Sequence, residues 1–172
     1  RPSLEKIISL KPDLVIASFH TTEAMDNSLK SNGIEIMKVK ASSIDEIFKN
    51  FEELGKILGK YEEAKKIISE KKSKIEEIKK IKIEEKKGVF IFSATPMRVF
   101  GKGTLPDDIM KILNIKNISE DLGVESSILT PEYIINKNPD IILTFSKDPK
   151  EIVRGNPQIK NVNAVKNNKF VL

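Results

Sequence analysis

The sequence contains no cysteine and no tryptophan, a single histidine, and only three arginines (Arg1, Arg98 and Arg154) among its 30 basic residues. The lack of cysteine excludes disulfides, cysteine-based zinc sites and thiol catalysis, and it leaves the redox compartment open. One histidine, His20, excludes a metal site built from several imidazoles. Aromatic residues make up 6% of the chain. Stacking platforms and bidentate arginine contacts are therefore poorly supplied, and nucleic acid is not an expected partner. No apolar run approaches the ~20 residues that a membrane-spanning helix needs. A signal-peptide pattern is also missing, because an amphipathic pattern follows Arg1-Pro2-Ser3 at once.

What remains is a chain of 172 residues, 39% hydrophobic and 32% charged, with both classes spread along its length. That is enough for one ordinary domain or two small lobes with a real core. The net charge of +5 comes from lysines interleaved with glutamates, as in Glu62-Glu63-Ala64-Lys65-Lys66. Such spacing marks a solvated helix face rather than a phosphate-tracking stripe.

Short elements alternate at the start. Ser3 is an N-cap candidate for a helix carrying Leu4, Ile7 and Ile8, and Pro12 ends it. Leu14-Val15-Ile16-Ala17 reads as a strand buried on both faces, with Ser18 to Thr22 as the loop after it. Residues 23–32 read as a helix, Gly33 as its C′ position, and Ile34 to Val39 as a second strand. Ser43-Ile44-Asp45-Glu46 is a capping box opening a helix that runs to Gly59. A long, highly charged helix from about Tyr61 to Ile81 reads as a spine between lobes. Gly88 to Phe92 is then a strand, Ser93 to Thr104 a loop, and Pro106 and Pro131 start helices. Asp140 to Thr144 and Phe170 to Leu172 read as further strands. The expected organisation is a partial N-terminal α/β lobe (1–42), two helices (43–84) and a C-terminal α/β lobe (85–172).

Two distant stretches match. Ser3-Leu4-Glu5-Lys6-Ile7-Ile8 runs into Pro12-Asp13-Leu14-Val15-Ile16, and Thr130-Pro131-Glu132-Tyr133-Ile134-Ile135 runs into Pro139-Asp140-Ile141-Ile142-Leu143, every pair 127 positions apart. Each element has a local rationale as a generic helix-to-strand unit. The match also fits two α/β lobes of like design. A helix that precedes a parallel strand has its N-terminus at the C-terminal ends of the strands, where open α/β sheets bind ligands. Glu5 and Glu132 are then expected on matching, cleft-side faces of their lobes. The loops Ser18 to Thr22, Ser93 to Thr104 and Phe145 to Asp148 are expected to line the gap.

The string from Ser3 to Ile16 resembles the substrate-binding proteins of ABC importers for ferric siderophores, haem and cobalamin. The capped helix from Ser43 with the long helix after it, Gly101-Lys102-Gly103-Thr104 with its helix up to Asn117-Ile118, and Asn163 to Lys169 are similar to the same family. The resemblance implies an α/β fold of two Rossmann-like lobes with parallel sheets, joined by a long helix and located outside the cytoplasm. It also implies delivery of a ligand to a membrane permease, with docking through one glutamate per lobe, here Glu5 and Glu132. Family members carry a further strand and helix before the position of Arg1 and closing helices after Leu172. The N-terminal lobe is therefore expected to be incomplete, with an uncovered edge that favours self-association.

Ligand contacts are expected from Ser18, Phe19, His20 and Thr21 after the first strand. Arg98 and Lys102 in the 93–104 loop, with Lys147, are candidates to clamp an anionic ferric chelate, or are ordinary surface charge. Phe19, Met97, Phe100 and Phe145 offer an apolar wall or belong to the core. His20 is either a hydrogen-bonded surface residue or, with haem, an axial ligand. Gly101-Lys102-Gly103-Thr104 lacks phosphate-loop spacing, so its glycines read as turn formers. Glu23, Asp107 and Asp108 have helix-start explanations. No catalytic constellation and no resident cofactor are expected; the ligand is an iron chelate, haem or cobalamin. A cytosolic cofactor-binding enzyme is the alternative from another class. It would need a glycine loop after the first strand, and Ser18 to Thr22 has none. A lobe used purely as an interaction module is a third reading.

Overall fold

The computed structural model describes residues 3–18 and 21–171. The chain divides into two compact units, Arg1–Ala41 with Asp45–Ile68 and Ser42–Ile44 with Ser69–Leu172. The segment 43–84, expected as a piece of its own, is shared between them.

The first unit contains α1 (Leu4–Ser9), β1 (Leu14–Ser18), α2 (Glu23–Ser31), β2 (Glu35–Val39), most of α3 (Ile44–Ile57) and the opening turns of α4 (Tyr61–Lys80). Strands β1 and β2 pair in parallel, from Leu14 opposite Glu35 to Ser18 opposite Val39. Helix α2 begins where the Thr22 hydroxyl accepts the Met25 N–H, and its Leu29 is fully buried. Ile34, Met37, Ala64 and Ile68 complete a small core. The ammonium groups of Lys56 and Lys65 lie 5.1 and 5.2 Å from the centre of the Tyr61 ring. Ile16 is 53% exposed, against the expectation of a strand buried on both faces. The physical reason is that β1 has a single neighbouring strand among the described residues. Ile16, Met37, Ile47, Phe51 and Leu54 line an apolar groove of about 280 Å³ on this face.

The second unit holds β3 (Lys86–Ala94), β4 (Met97–Phe100), α5 (Leu105–Ile112), β5 (Ile115–Asn117), β6 (Ser126–Ile128), α6 (Pro131–Lys137), β7 (Ile141–Thr144), α7 (Lys150–Gly155), α8 (Asn163–Lys166) and β8 (Phe170–Val171). The sheet order is β6-β4-β3-β7-β8, with β5 also on β3. Strands β5, β7 and β8 join in parallel, as an α/β sheet requires, while β4 and β6 extend it antiparallel. Alternation along the strands divides the core between two faces. Val89, Ile91 and Ile142 pack on one face with Val99, Ile134 and Ile152, and Phe90 and Leu143 pack on the other with Met110 and Ile115.

One expected loop is corrected. Strand β3 continues through Ser93 and Ala94, and Met97 to Phe100 form a strand of a hairpin turning at Thr95-Pro96. The residues that do form a loop, after Phe100, are pinned in place. Asp107, 1% exposed, accepts hydrogen bonds from Lys111 (2.7 Å), Asn117 (2.9 Å) and the Gly103 N–H (3.2 Å). The Asn117 amide also donates to the Phe100 carbonyl, and its own carbonyl accepts the Ser119 N–H. Gly103 has φ +80°, and a Cβ at Gly101 would lie 2.1 Å from the Val124 carbonyl oxygen, so both glycines serve the turn. Asp108 accepts the Ile44 N–H at 2.9 Å.

The repeated units become α1–β1 in the first unit and α6–β7 in the second. They share a feature the sequence match did not reveal. Lys11 (φ 47°) and Asn138 (φ 45°), 127 positions apart, both adopt the left-handed conformation just before the equivalent prolines. The copies differ at their starts. The Thr130 hydroxyl accepts the Tyr133 N–H, whereas Ser3, expected as a cap, makes no side-chain cap bond. Tyr133 also donates its hydroxyl proton to the Ile118 carbonyl at 2.8 Å.

Candidate functional site

In the parallel pair β3–β7, Thr144 ends β7 opposite Ile91 while β3 runs on to Ala94, and a pocket of about 280 Å³ opens at that end. Its walls include Ser93, Thr95, Thr144, Ser146 and Glu151, with Phe92 beside them. Thr144 is 2% exposed, and its hydroxyl accepts the Ser146 N–H at 3.1 Å. The Ser146 hydroxyl lies 3.1 Å from the Asp148 carbonyl oxygen and 3.3 Å from Glu151 Oε2, two acceptors that share its one proton, which orders the loop into α7. Arg154 sits 2.6 Å from Asp148 and holds that carboxyl below its ordinary range.

The far wall is fixed by Asn156, whose amide donates to the Ala94 carbonyl (2.9 Å) and to the Ile152 carbonyl (3.0 Å). One side chain thus ties the hairpin tip to α7. Gly155 allows a close approach there, because a Cβ would lie 2.7 Å from Thr95 Oγ1. Among the described residues, the hydroxyls of Ser93 and Thr95 have no hydrogen-bond partner within the protein.

Beside the pocket lies an aromatic cluster. Phe92 and Phe100 have ring centroids 4.5 Å apart, Phe90 and Phe145 4.7 Å, and Phe90 and Phe100 5.5 Å. Phe145 is 68% exposed, so the cluster presents an apolar ring to solvent.

The expected ligand contacts separate into groups. Phe100 and Phe145 meet in the aromatic cluster, and Phe92 is a member that sequence reasoning missed. For Met97 the structure takes the core reading: at 3% exposure it packs there, because alternation in β4 turns it inward with Val99. Arg98, Lys102 and Lys147 are exposed and none lines the pocket; among the described residues they form no ion pair. Ser18 is the exposed last residue of β1. The Thr21 hydroxyl donates to Asp26 at 3.0 Å, which ties the loop to α2. Asp26 also pairs with Lys38, whose hydrogen bond is the main cause holding the carboxyl below its usual range. Phe19 and His20 lie outside the described residues. Among those described, no group of three or more His, Asp or Glu side chains is placed to hold a metal ion.

Glu5 and Glu132 are exposed in the first turns of α1 and α6. The backbone N–H of Glu132 and the Thr130 hydroxyl hold the Glu132 carboxyl below its ordinary range. No helix among the described residues is long and apolar enough to cross a membrane.

The model of one family, described as periplasmic binding protein, matches residues 1–172. The chain belongs to that family. Among curated relatives, an uncharacterised ABC transporter substrate-binding lipoprotein of Bacillus subtilis, YvrC, is 30% identical over 177 residues, covering 97% of this chain and 56% of the relative. The Fe(3+)-citrate-binding protein YfmC of the same organism is 28% identical, covering 96% of this chain and 55% of the relative. The chain thus spans about half the length of the curated relatives it matches. A possible iron-binding periplasmic solute-binding protein of Staphylococcus epidermidis superposes with a TM-score of 0.79 at 27% identity, covering 99% of this chain and 71% of that one. The haem-binding protein HutB of Vibrio cholerae has a TM-score of 0.87 at 20% identity, covering 99% and 71%, and shows the shared fold. The two-lobed α/β class expected from the sequence is the class of these family members.

Proposed function

We propose that this chain belongs to the substrate-binding component of an ABC importer, located outside the cytoplasm, and that it captures a ferric siderophore or similar iron chelate for delivery to a membrane permease. The observation that carries this reading is the pocket at the C-terminal ends of β3 and β7, within a chain whose relatives include an iron-citrate binder. Open α/β sheets bind ligands at those ends. The role is binding rather than catalysis. Cobalamin is the second reading, favoured by vitamin B12-binding relatives such as that of Salmonella typhimurium, 28% identical over 148 residues. Haem is a third member of the same ligand group, with His20 as the candidate axial ligand.

A thermal-shift screen of the full-length protein against ferric siderophores, ferric citrate, haem and cobalamin, with iron-free chelators as controls, tests this. A ligand at 100 times its dissociation constant adds about 2.7 kcal/mol, a readable shift. A shift with one ligand class establishes the function; no shift with any of them removes it.

Docking to the permease through Glu5 and Glu132 is part of the same proposal. Their matching places in a repeated unit, each exposed in a first helical turn, support it. Reversing both charges (Glu5→Lys with Glu132→Lys) is expected to abolish uptake while ligand affinity stays intact. Unchanged uptake would remove the docking role. Self-association of this chain through the exposed apolar face around Ile16 is likewise proposed, and a clean monomer in sedimentation would exclude it.

A further inference from the structure

The lining of the pocket carries more than its position. Of the residues around it, Ser93, Thr95, Thr144 and Ser146 supply hydroxyls and Glu151 supplies a carboxylate. Among the described residues, no lysine or arginine lines it. Glu151 is turned toward this space by the Ser146 hydroxyl at 3.3 Å. The carboxylate oxygens are acceptors only, and a second carboxylate placed beside them meets like-charge repulsion with no cation to offset it. A hydroxyl can donate or accept, so the hydroxyls of Ser93 and Thr95 adapt to whatever the ligand presents, whereas Glu151 cannot.

From this lining we infer that the pocket selects chelates whose inserted group bears hydrogen-bond donors, an ammonium above all, and rejects chelates that present a free carboxylate there. Glu151 is the residue that makes this choice. Ser93 and Thr95, whose hydroxyls lack protein partners among the described residues, make the neutral contacts. The Asn156 clamp and the close approach at Gly155 hold Thr95 in place before a ligand arrives. Arg98, Lys102 and Lys147 remain outside the pocket, free to meet anionic parts of the same ligand. The inference rests on the chelate-binding function proposed above and narrows its substrate to donor-bearing chelates, such as hydroxamates ending in an amine.

Calorimetric titration of the full-length protein provides the test. The probes are ferrioxamine B, which ends in an ammonium, its N-acetylated form, which does not, ferric citrate, cyanocobalamin and haemin. Ferrioxamine B is expected to bind about tenfold tighter than its acetylated form, as a charge-assisted hydrogen bond allows. Glu151→Gln is expected to reduce that gap to below about threefold, while leaving the acetylated form nearly unaffected. Thr95→Val is expected to weaken both hydroxamates together, which separates the neutral contacts from the charged one. Equal binding of the two ferrioxamines, or ferric citrate as the tightest ligand, overturns the inference and leaves chelate binding standing. If none of the five probes binds, the proposed function fails and this inference fails with it.

Discussion

Strands β1 and β7 are written in nearly the same letters and end in opposite environments. Ile16 is 53% exposed, while its equivalent Leu143 is 6% exposed, and Ile142, the equivalent of Val15, is fully buried. Each strand follows a short helix, a left-handed residue and a proline. The difference comes from the neighbours. Strand β7 lies between β3 and β8, with helices filling both faces, whereas β1 has only β2 beside it among the described residues. An apolar run therefore specifies a strand able to be buried, and the surrounding sheet decides whether it is. A two-stranded sheet is marginal by itself, so the first unit leans on α2, α3 and α4 for what core it has.

The largest test of this contrast is a pair of truncations. Ile142→Ala should cost about 3 kcal/mol, from lost transfer energy and a cavity in a packed core. Val15→Ala at the equivalent position should cost less than about 1.5 kcal/mol, because its strand is only half covered. Urea unfolding of both variants measures the two values, and equal losses would remove the difference between the sheets.

A second contrast concerns acid. Burial of Asp107 opposes its charge, but hydrogen bonds from Lys111, Asn117 and the Gly103 N–H outweigh this and hold its carboxyl below the ordinary range. Its contribution is complete above the unfolded carboxyl value of about 4 and is lost as pH falls through the lower folded value. Asp107→Asn should therefore cost about 1–3 kcal/mol at pH 7 and flatten the acid limb of the stability curve. Denaturation midpoints measured from pH 7 down to pH 2 will show this; an unchanged acid limb would exclude the role.

The caps of the two repeat copies differ next. Thr130→Ala should cost about 1 kcal/mol, since its hydroxyl holds the Tyr133 N–H, and Ser3→Ala should cost a few tenths at most. Thermal melts of the two single variants compare them. Comparable in size is the charge reversal Glu5→Lys with Glu132→Lys, expected to cost no more than about 1 kcal/mol, because both side chains are exposed but lie in first helical turns, where a carboxylate is favoured. A larger loss in the melting curve would mean that any uptake defect reflects folding.

Much of this molecule was legible in its letters. Caps, stops and 3.6-residue spacing marked α2, α4 and α5 to within a residue or two, and the 127-residue repeat pointed to paired α/β units. The antiparallel hairpin was not legible. Proline and two glycines made Ser93 to Thr104 read as a loop, while Met97, Val99 and Phe100 carried an inward-outward alternation too short to outweigh those turn residues. Two of the stretches expected beside a cleft, Ser93 to Thr104 and Phe145 to Asp148, reach the pocket through Ser93, Thr95 and Ser146, but the chemistry they bring there was not legible. Met97 faces the core because of strand alternation, and Glu151 joins Thr95 only through the sheet and the Asn156 clamp, which link residues more than fifty positions apart.

The scarcity of aromatic chromophores has a practical consequence. With no tryptophan, emission excited at 280 nm comes from two tyrosines, Tyr61 in the first unit and Tyr133 in the second. Tyr61 has two ammonium groups near its ring, and Tyr133 donates a hydrogen bond to the Ile118 carbonyl. Replacing either with phenylalanine leaves a label-free optical reporter for the other unit alone. Two such variants followed through one denaturation series would show whether the units melt together or in sequence.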